Sequence, residues 1–226
     1  MIRIVSLDMD GTLMKSGFVD KVWMEGIPAL YAERTGLDFP AAKEHVIGEY
    51  ARVGSDRMEV IGEYARVGSD RMEWYDLLYW IEKFGLKTGK DELLQMYEDE
   101  IEAYPEVPEV LELLSDKYDL VVTSNAAREF IDIELEGLTE YFREIFSATS
   151  DFREVKKSPL VYGAICAQMD ARPFEVLHIG DHYHYDYESP LQAGLDALFL
   201  DRKGERSGPE VVGDLREAVE LIEGCL

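Results

Sequence analysis

The chain carries one asparagine, Asn125, and three glutamines, and only two cysteines, Cys166 and Cys225. Two cysteines in 226 residues cannot make the framework of a disulfide-rich secreted domain. Scarcity of deamidation-prone amides beside many charged residues is a pattern of proteins from hot environments, so a heat-adapted source is expected. Basic residues are also scarce. Lys and Arg number 23 against 47 Asp and Glu, a formal net charge of -24. Such a field repels nucleic acid phosphates and anionic lipid, so neither is an expected partner. No stretch approaches the ~20 apolar residues of a membrane helix. The first residues, Met1 to Asp8, form too short an apolar run for a signal peptide. A soluble, cytoplasmic protein is the expectation. With 46% hydrophobic positions the chain can bury a real core, which excludes disorder and a fibrous fold.

What is present has two textures. Ile2 to Leu7 reads as a buried β-strand, with β-branched Ile2, Ile4 and Val5, and it stops at an Asp-rich turn. From about Phe18 to Tyr104 the apolar spacing is helical, as in Val22, Trp23, Ile27 and Leu30. Beyond Pro105 strands and helices alternate. Helix Val107–Lys117 precedes strand Leu120–Thr123; a helix near Arg128–Leu135 precedes strand Ile145–Ala148. Helix Val161–Met169 then leads to strand Val176–Ile179, and a last strand covers Ala197–Leu200. Alternation of this kind implies an α/β fold, a Rossmann-like parallel sheet with helices on both faces. The expected domains are a discontinuous core, residues 1–14 and 104–226, and an inserted all-helical domain, 15–103.

Ligands of open parallel sheets bind at the carboxyl ends of the strands. Three strands end in residues with useful chemistry: Asp8 and Asp10 after the first, Ser124 and Asn125 after the second, and Asp181 after Val176–Ile179. Two carboxylates two residues apart at the end of a buried strand repel unless a cation or proton intervenes. Oxygen-only ligands suit Mg²⁺. A carboxylate beside a metal can act as a nucleophile, and a second can protonate a leaving alkoxide and later deprotonate water. Taken alone, Asp8-Met9-Asp10-Gly11-Thr12 also reads as an Asp-Gly turn with surface acids. Ser124 and Asn125 offer hydroxyl and amide donors to a phosphate oxygen. Lys156-Lys157-Ser158-Pro159 sits at a loop-to-helix junction, where a lysine can neutralise phosphate; a solvated basic pair is the plainer alternative. Gly180-Asp181-x₄-Asp186 can complete a metal site and hold its loop.

These four motifs, in this order, resemble the haloacid dehalogenase-like superfamily of phosphohydrolases. The resemblance covers residues 1–14 and about 104–226, extending to Gly194 and Leu200-Asp201-Arg202. It implies that Asp8 is the nucleophile and a Mg²⁺ ligand. Asp10 would be general acid then base, with its backbone carbonyl on the metal. Ser124 would hydrogen-bond the phosphoryl group with Asn125 beside it, Lys156 would neutralise nucleophile and phosphate, and Asp181 would ligate Mg²⁺. Thr12 and Asp186 would support these residues. Thr123 is a neighbouring alternative to Ser124, and Lys157 competes with Lys156, which the K-x-x-P spacing to Pro159 favours. Asp10 separates branches of the superfamily. A halide leaving group needs no proton, whereas an alkoxide does, so an acid there argues for phosphate esters.

Ser124 follows Asp8 by 116 positions, room for a helical cap after the first motif, as in phosphoglycolate-phosphatase-like enzymes. Lys156 follows Ser124 by only 32, too few for a second cap. The resemblance therefore implies an Mg²⁺-dependent phosphatase of small phosphorylated metabolites. The alternatives are a phosphomutase, and a catalytically silent member that uses its cap for protein contacts. His182 and His184 flank the metal loop without a third nitrogen or sulfur donor, so they read as lining the site rather than as ligands. His178 reads as structural. Trp74, Tyr75, Tyr79 and Trp80 read as cap core, with a substrate-facing aromatic as the alternative.

Residues 46–59 and 60–73 are the same fourteen letters, a tandem duplication inside the cap. Two copies are too few for a solenoid. Fourteen residues return a helix to within about 40° of phase, so a lengthened cap helix is expected, with a turn at each Gly-Ser-Asp as the competing reading. Its extra apolar residues, Val60, Ile61, Tyr64 and Val67, would need cover, and a second copy of the chain is one source, giving a homo-oligomer.

Overall fold

A computed structural model describes residues 1–53 and 71–224. The expected lengthened helix and the duplication junction, at 57–61, lie outside the described residues. Two compact units emerge, Met1–Lys15 with Ala103–Leu226, and Ser16–Glu102.

The first unit opens with β1 (Ile4–Leu7), fully buried. The second unit follows and is helical among its described residues: α1 (Gly17–Lys21), α2 (Ile27–Thr35), α3 (Phe39–Val53), α4 (Leu77–Lys83) and α5 (Lys90–Gln95). Asp76 caps α4 by accepting the Tyr79 N–H at 3.0 Å, which satisfies one of the orphan donors of a helix start. The core of this unit is aromatic. Trp80 is buried, meets Tyr50 edge-on at 4.6 Å and stacks on Phe84 at 5.5 Å. Trp23 stacks on Trp74 at 5.9 Å.

The chain then returns to the first unit through α6 (Val107–Ser115), β2 (Asp119–Ser124), α7 (Arg128–Glu134), β3 (Glu144–Ser147), α8 (Ala148–Asp151), α9 (Pro159–Gln168), β4 (Val176–Gly180), α10 (Ser189–Gln192), β5 (Asp196–Leu200), β6 (Val211–Val212) and α11 (Leu215–Gly224). The sheet has six strands in the order β3-β2-β1-β4-β5-β6, and every pairing is parallel. Fully buried strands suit such a sheet, because helices cover both faces. In α6 the buried positions Val107, Val110, Leu111 and Leu114 repeat at helical spacing, and α11 buries Leu215, Ala218, Val219 and Ile222 in the same way. The expected elements recur within two residues of their ends. Strand β6 and helices α8, α10 and α11 were not anticipated; a two-residue strand or a single helical turn is too short to leave a periodic signal.

One consequence of the strand order matters most. The chain builds outward from β1 to β3 and then crosses back to place β4 on the other side of β1. That reversal is the switch point at which open parallel sheets bind ligands. It sets the carboxyl ends of β2, β1 and β4 side by side. No described helix is long and apolar enough to cross a membrane.

Candidate active site

Asp8 is the first residue beyond β1 and is 5% exposed. Its N–H donates to Ile179 O at 2.9 Å, so the sheet ladder fixes its backbone between the neighbouring strands. The chain must then turn sharply, and Gly11 takes a left-handed φ of 80°. A Cβ on Gly11 would lie 2.6 Å from Cγ of Asp181. The absence of a side chain there lets Asp181 close on the turn after β1. Thr12, buried, points its hydroxyl toward Asp8 Oδ2 at 3.5 Å, a long contact. Arg202, from the chain after β5, clamps the turn from outside. It donates to Gly11 O at 3.1 Å and Thr12 O at 2.8 Å, pairs with Glu106 at 2.7 Å and lies 3.5 Å over the Tyr104 ring.

The lysine of the site is Lys157, not Lys156. Lys157 is 2% exposed, and its ammonium contacts both Asp8 Oδ1 and Asp186 Oδ1 and donates to Thr123 O at 3.3 Å. Lys156 instead sets its Nζ 5.5 Å from the centre of the Tyr185 ring. The chain bends here, with the Ser158 N–H donating to Lys156 O at 2.7 Å, and only Lys157 turns in. What marks Lys157 is the hydrogen bond its N–H donates to Asn125 Oδ1 at 2.8 Å. Spacing to Pro159 carries no information about that bond, which is why it misled.

Ser124 is buried, and its Oγ accepts the Ala126 N–H at 3.0 Å. Thr123, the alternative, turns the other way and bonds Ser6 Oγ at 2.9 Å. The end of β3 braces this loop. Ser147 donates to Ala126 O at 2.6 Å and Thr149 to Asn125 O at 3.2 Å. Asp186 is fully buried and takes the His182 N–H on Oδ2 at 2.9 Å, the His178 Nε2 on Oδ1 at 3.2 Å, and Lys157. Gly180 makes room for it, since a Cβ there would lie 2.7 Å from that of Asp186.

Three carboxylates, Asp8, Asp181 and Asp186, offer oxygens within 4.8 Å of one another. Asp10, half-buried, contributes no carboxylate oxygen to this group. The Lys157 ammonium meets two of them, Asp8 and Asp186. Burial pushes the Asp8 carboxyl well above the usual range, and Asp186 and Asp181 add to that push against Lys157. Burial also works against the Asp186 charge, yet Lys157 and His178 outweigh it and hold this carboxyl below the usual range. Burial opposes the Lys157 charge too, but Asp186 and Asp8 raise its affinity for the proton. Asp8 and Asp181 lie in a site built of oxygen donors, and these residues could hold a metal ion.

Two buried groups stand beyond what sequence reasoning placed: His178 was expected only as structural, and Glu134 was not singled out. His178, in the middle of β4, touches Asp186 and Ser6. Glu134, at the end of α7, is 2% exposed, and both its carboxylate oxygens lack a hydrogen-bond partner among the described residues. Burial and then the Asp10 charge raise its carboxyl well above the usual range. A lone acid on a helix leaves no local signal of such a placement.

A doubly wound parallel sheet gathers three aspartates and a buried lysine at its switch point, where open α/β sheets bind their ligands. The haloacid dehalogenase-like hydrolase model matches residues 2–194, and the chain belongs to that family. Among solved structures, a haloacid dehalogenase-type phosphatase from Thermococcus onnurineus is similar at 21% identity and a TM-score of 0.81, covering 99% of each chain. The magnesium-bound YfnB hydrolase of Bacillus subtilis is similar at 17% identity and 0.64, covering 98% of this chain and 99% of the other. L-2-haloacid dehalogenase of Xanthobacter autotrophicus is similar at 19% and 0.61, covering 99% of each. No match was found among curated proteins.

Proposed function

We propose that this hydrolase is an Mg²⁺-dependent phosphatase of small phosphorylated metabolites, acting through an aspartyl-phosphate on Asp8. The observation that carries the reading is the buried Asp8 at the end of β1, paired with Lys157 and grouped with Asp181, with a second acid, Asp10, two residues on. Asp8, Asp181 and the Asp10 carbonyl would hold Mg²⁺, which supplies positive charge to the phosphoryl oxygens when bound.

The chain's own residues do the rest. A carboxylate oxygen of Asp8 attacks phosphorus and the bond from phosphorus to the ester oxygen breaks. The leaving alkoxide takes its proton from Asp10. Asp10, now ionised, removes a proton from water as that water attacks phosphorus, and the bond to the Asp8 oxygen breaks to release phosphate. Lys157 neutralises Asp8 before attack and the phosphoryl group after it. Ser124 and Asn125 present polar groups at the same strand end. A protein of net charge -24 repels phosphate at long range. At contact the balance reverses, since unit charges 4 Å apart interact by about 4 kcal/mol at an effective dielectric of 20 against about 1 in water.

Asp10 favours phosphate esters over haloacids, because only the alkoxide needs its proton. A panel of phosphate monoesters and 2-chloropropionate, assayed with Mg²⁺ and with EDTA, tests this. Phosphate release that EDTA abolishes is expected. Chloride release without metal, and no phosphate release from any ester, would overturn it.

A further inference from the structure

Three neighbouring strands carry polar side chains into the floor of the site. Thr123 of β2, Ser6 of β1 and His178 of β4 are all buried, in strands whose other buried residues are mostly apolar. Ser6 and His178 are register partners across the β1–β4 ladder. Ser6 Oγ lies 2.9 Å from Thr123 Oγ1 and 2.9 Å from His178 Nδ1, and His178 Nε2 lies 3.2 Å from Asp186 Oδ1. Polar groups buried this deeply are costly unless every one is bonded.

The direction of the chain follows from its ends. Ionised Asp186 only accepts, so His178 Nε2 must carry a proton. The Lys157 ammonium already sits on the same oxygen. Burial disfavours a charged ring, and the Lys157 ammonium on the same oxygen disfavours it further, so the imidazole is neutral and Nδ1 is an acceptor. Ser6 therefore donates to Nδ1, and Thr123 donates to Ser6. Tyr162 packs against the ring at 5.0 Å and 66°, and donates to Tyr185 O at 2.8 Å, which limits turning of the imidazole.

We propose that His178, held in its Nε2–H tautomer by Asp186 and braced at Nδ1 by Ser6, is a positioning residue that fixes Asp186 and thereby the Lys157 ammonium where it meets Asp8. Asp186 Oδ1 is shared by His178 and Lys157, so loss of the histidine donor frees the carboxylate to turn and take the ammonium with it. The kinetic part of this proposal rests on the reading of Asp8 as nucleophile. The structural part does not.

The test is ¹⁵N NMR of the imidazole and of the buried lysine ammonium, with kinetics alongside, on the wild-type protein and on His178→Leu, His178→Gln and Ser6→Ala. The wild-type ring is expected to be protonated at Nε2 and bare at Nδ1. His178→Leu should shift or broaden the Lys157 ammonium signal; His178→Gln, which can still donate to Asp186, should restore it. Ser6→Ala removes the brace at Nδ1 and should shift or broaden the His178 and Lys157 signals while Nε2 keeps its proton. It keeps the proposal testable if His178→Leu does not fold. If the phosphatase reading holds, kcat in His178→Leu should fall by about 10²-fold with KM little changed, as for a catalytic group displaced by about 1 Å, and His178→Gln should recover most of it. An Nδ1–H tautomer in the wild type, or an unmoved ammonium signal in folded His178→Leu, would overturn the positioning role. Absence of phosphatase activity in the wild type would instead overturn the function, and the two NMR readouts would still decide the role of His178.

Discussion

Asn125 Oδ1 accepts the backbone N–H of Lys157 at 2.8 Å, joining the end of β2 to the lysine that touches Asp8. In a chain with one asparagine, that residue works on the backbone beside the site. An N–H left unpaired at a buried position costs about 1–3 kcal/mol. Asn125→Ala is therefore expected to lower stability by about that amount and to impair turnover. Asn125→Asp, which keeps the acceptor, should lose less stability. Thermal unfolding of both variants checks this, and equal losses would show that the hydrogen bond does not carry the effect.

The lysine pair gives a second contrast. Lys157→Ala removes the cation from between Asp8 and Asp186, and breaking a buried ion pair on one side costs about 3–5 kcal/mol. Turnover is expected to drop to near background. Lys156→Ala leaves the buried cluster intact and should keep most of the rate. Steady-state kinetics of the two variants decide it, and the reverse ranking would mean that the lysine at the site had been misplaced.

Alkaline pH should weaken the fold. Burial raises Tyr50 and Tyr162 well above the ordinary tyrosine value of 10.0, with Asp186 and Asp8 adding to the effect at Tyr162. Below pH 10 both states keep the phenolic proton and the stability is fully present. Above it the unfolded chain ionises first, so unfolding is favoured as pH rises toward the folded values. Melting at pH 8 and pH 10.5, with tyrosinate absorbance as a second probe, should show a lower midpoint at high pH. Tyr162→Phe should flatten that dependence while losing the bond to Tyr185 O. Full tyrosinate absorbance in the folded protein at pH 10.5 would contradict the burial argument.

Much of this was legible from residues alone, for identifiable reasons. The strands β1, β2 and β4 announce themselves because parallel strands buried on both faces need unbroken apolar runs. Asp8, Ser124 and Asp181 were found because they interrupt those runs at the carboxyl ends, where a parallel sheet places its ligands. What could not be read was sidedness. Lys156 and Lys157 are neighbours of the same type, and what marks Lys157 is the hydrogen bond its N–H donates to Asn125, 32 positions away. His178 sits inside an apolar run like any core residue, and its partners Ser6 and Asp186 come from other elements. Contacts between distant segments leave no mark in local spacing.

The central claim is that Asp8 takes the phosphoryl group. Its most direct test is Mg²⁺-dependent phosphate release by Asp8→Asn beside the wild type, on whichever monoester the panel finds to be turned over. Monoester hydrolysis is so slow without catalysis, with enzymatic accelerations of up to ~10²¹-fold, that loss of the nucleophile should leave no measurable release. Turnover by folded Asp8→Asn close to that of the wild type would contradict the account.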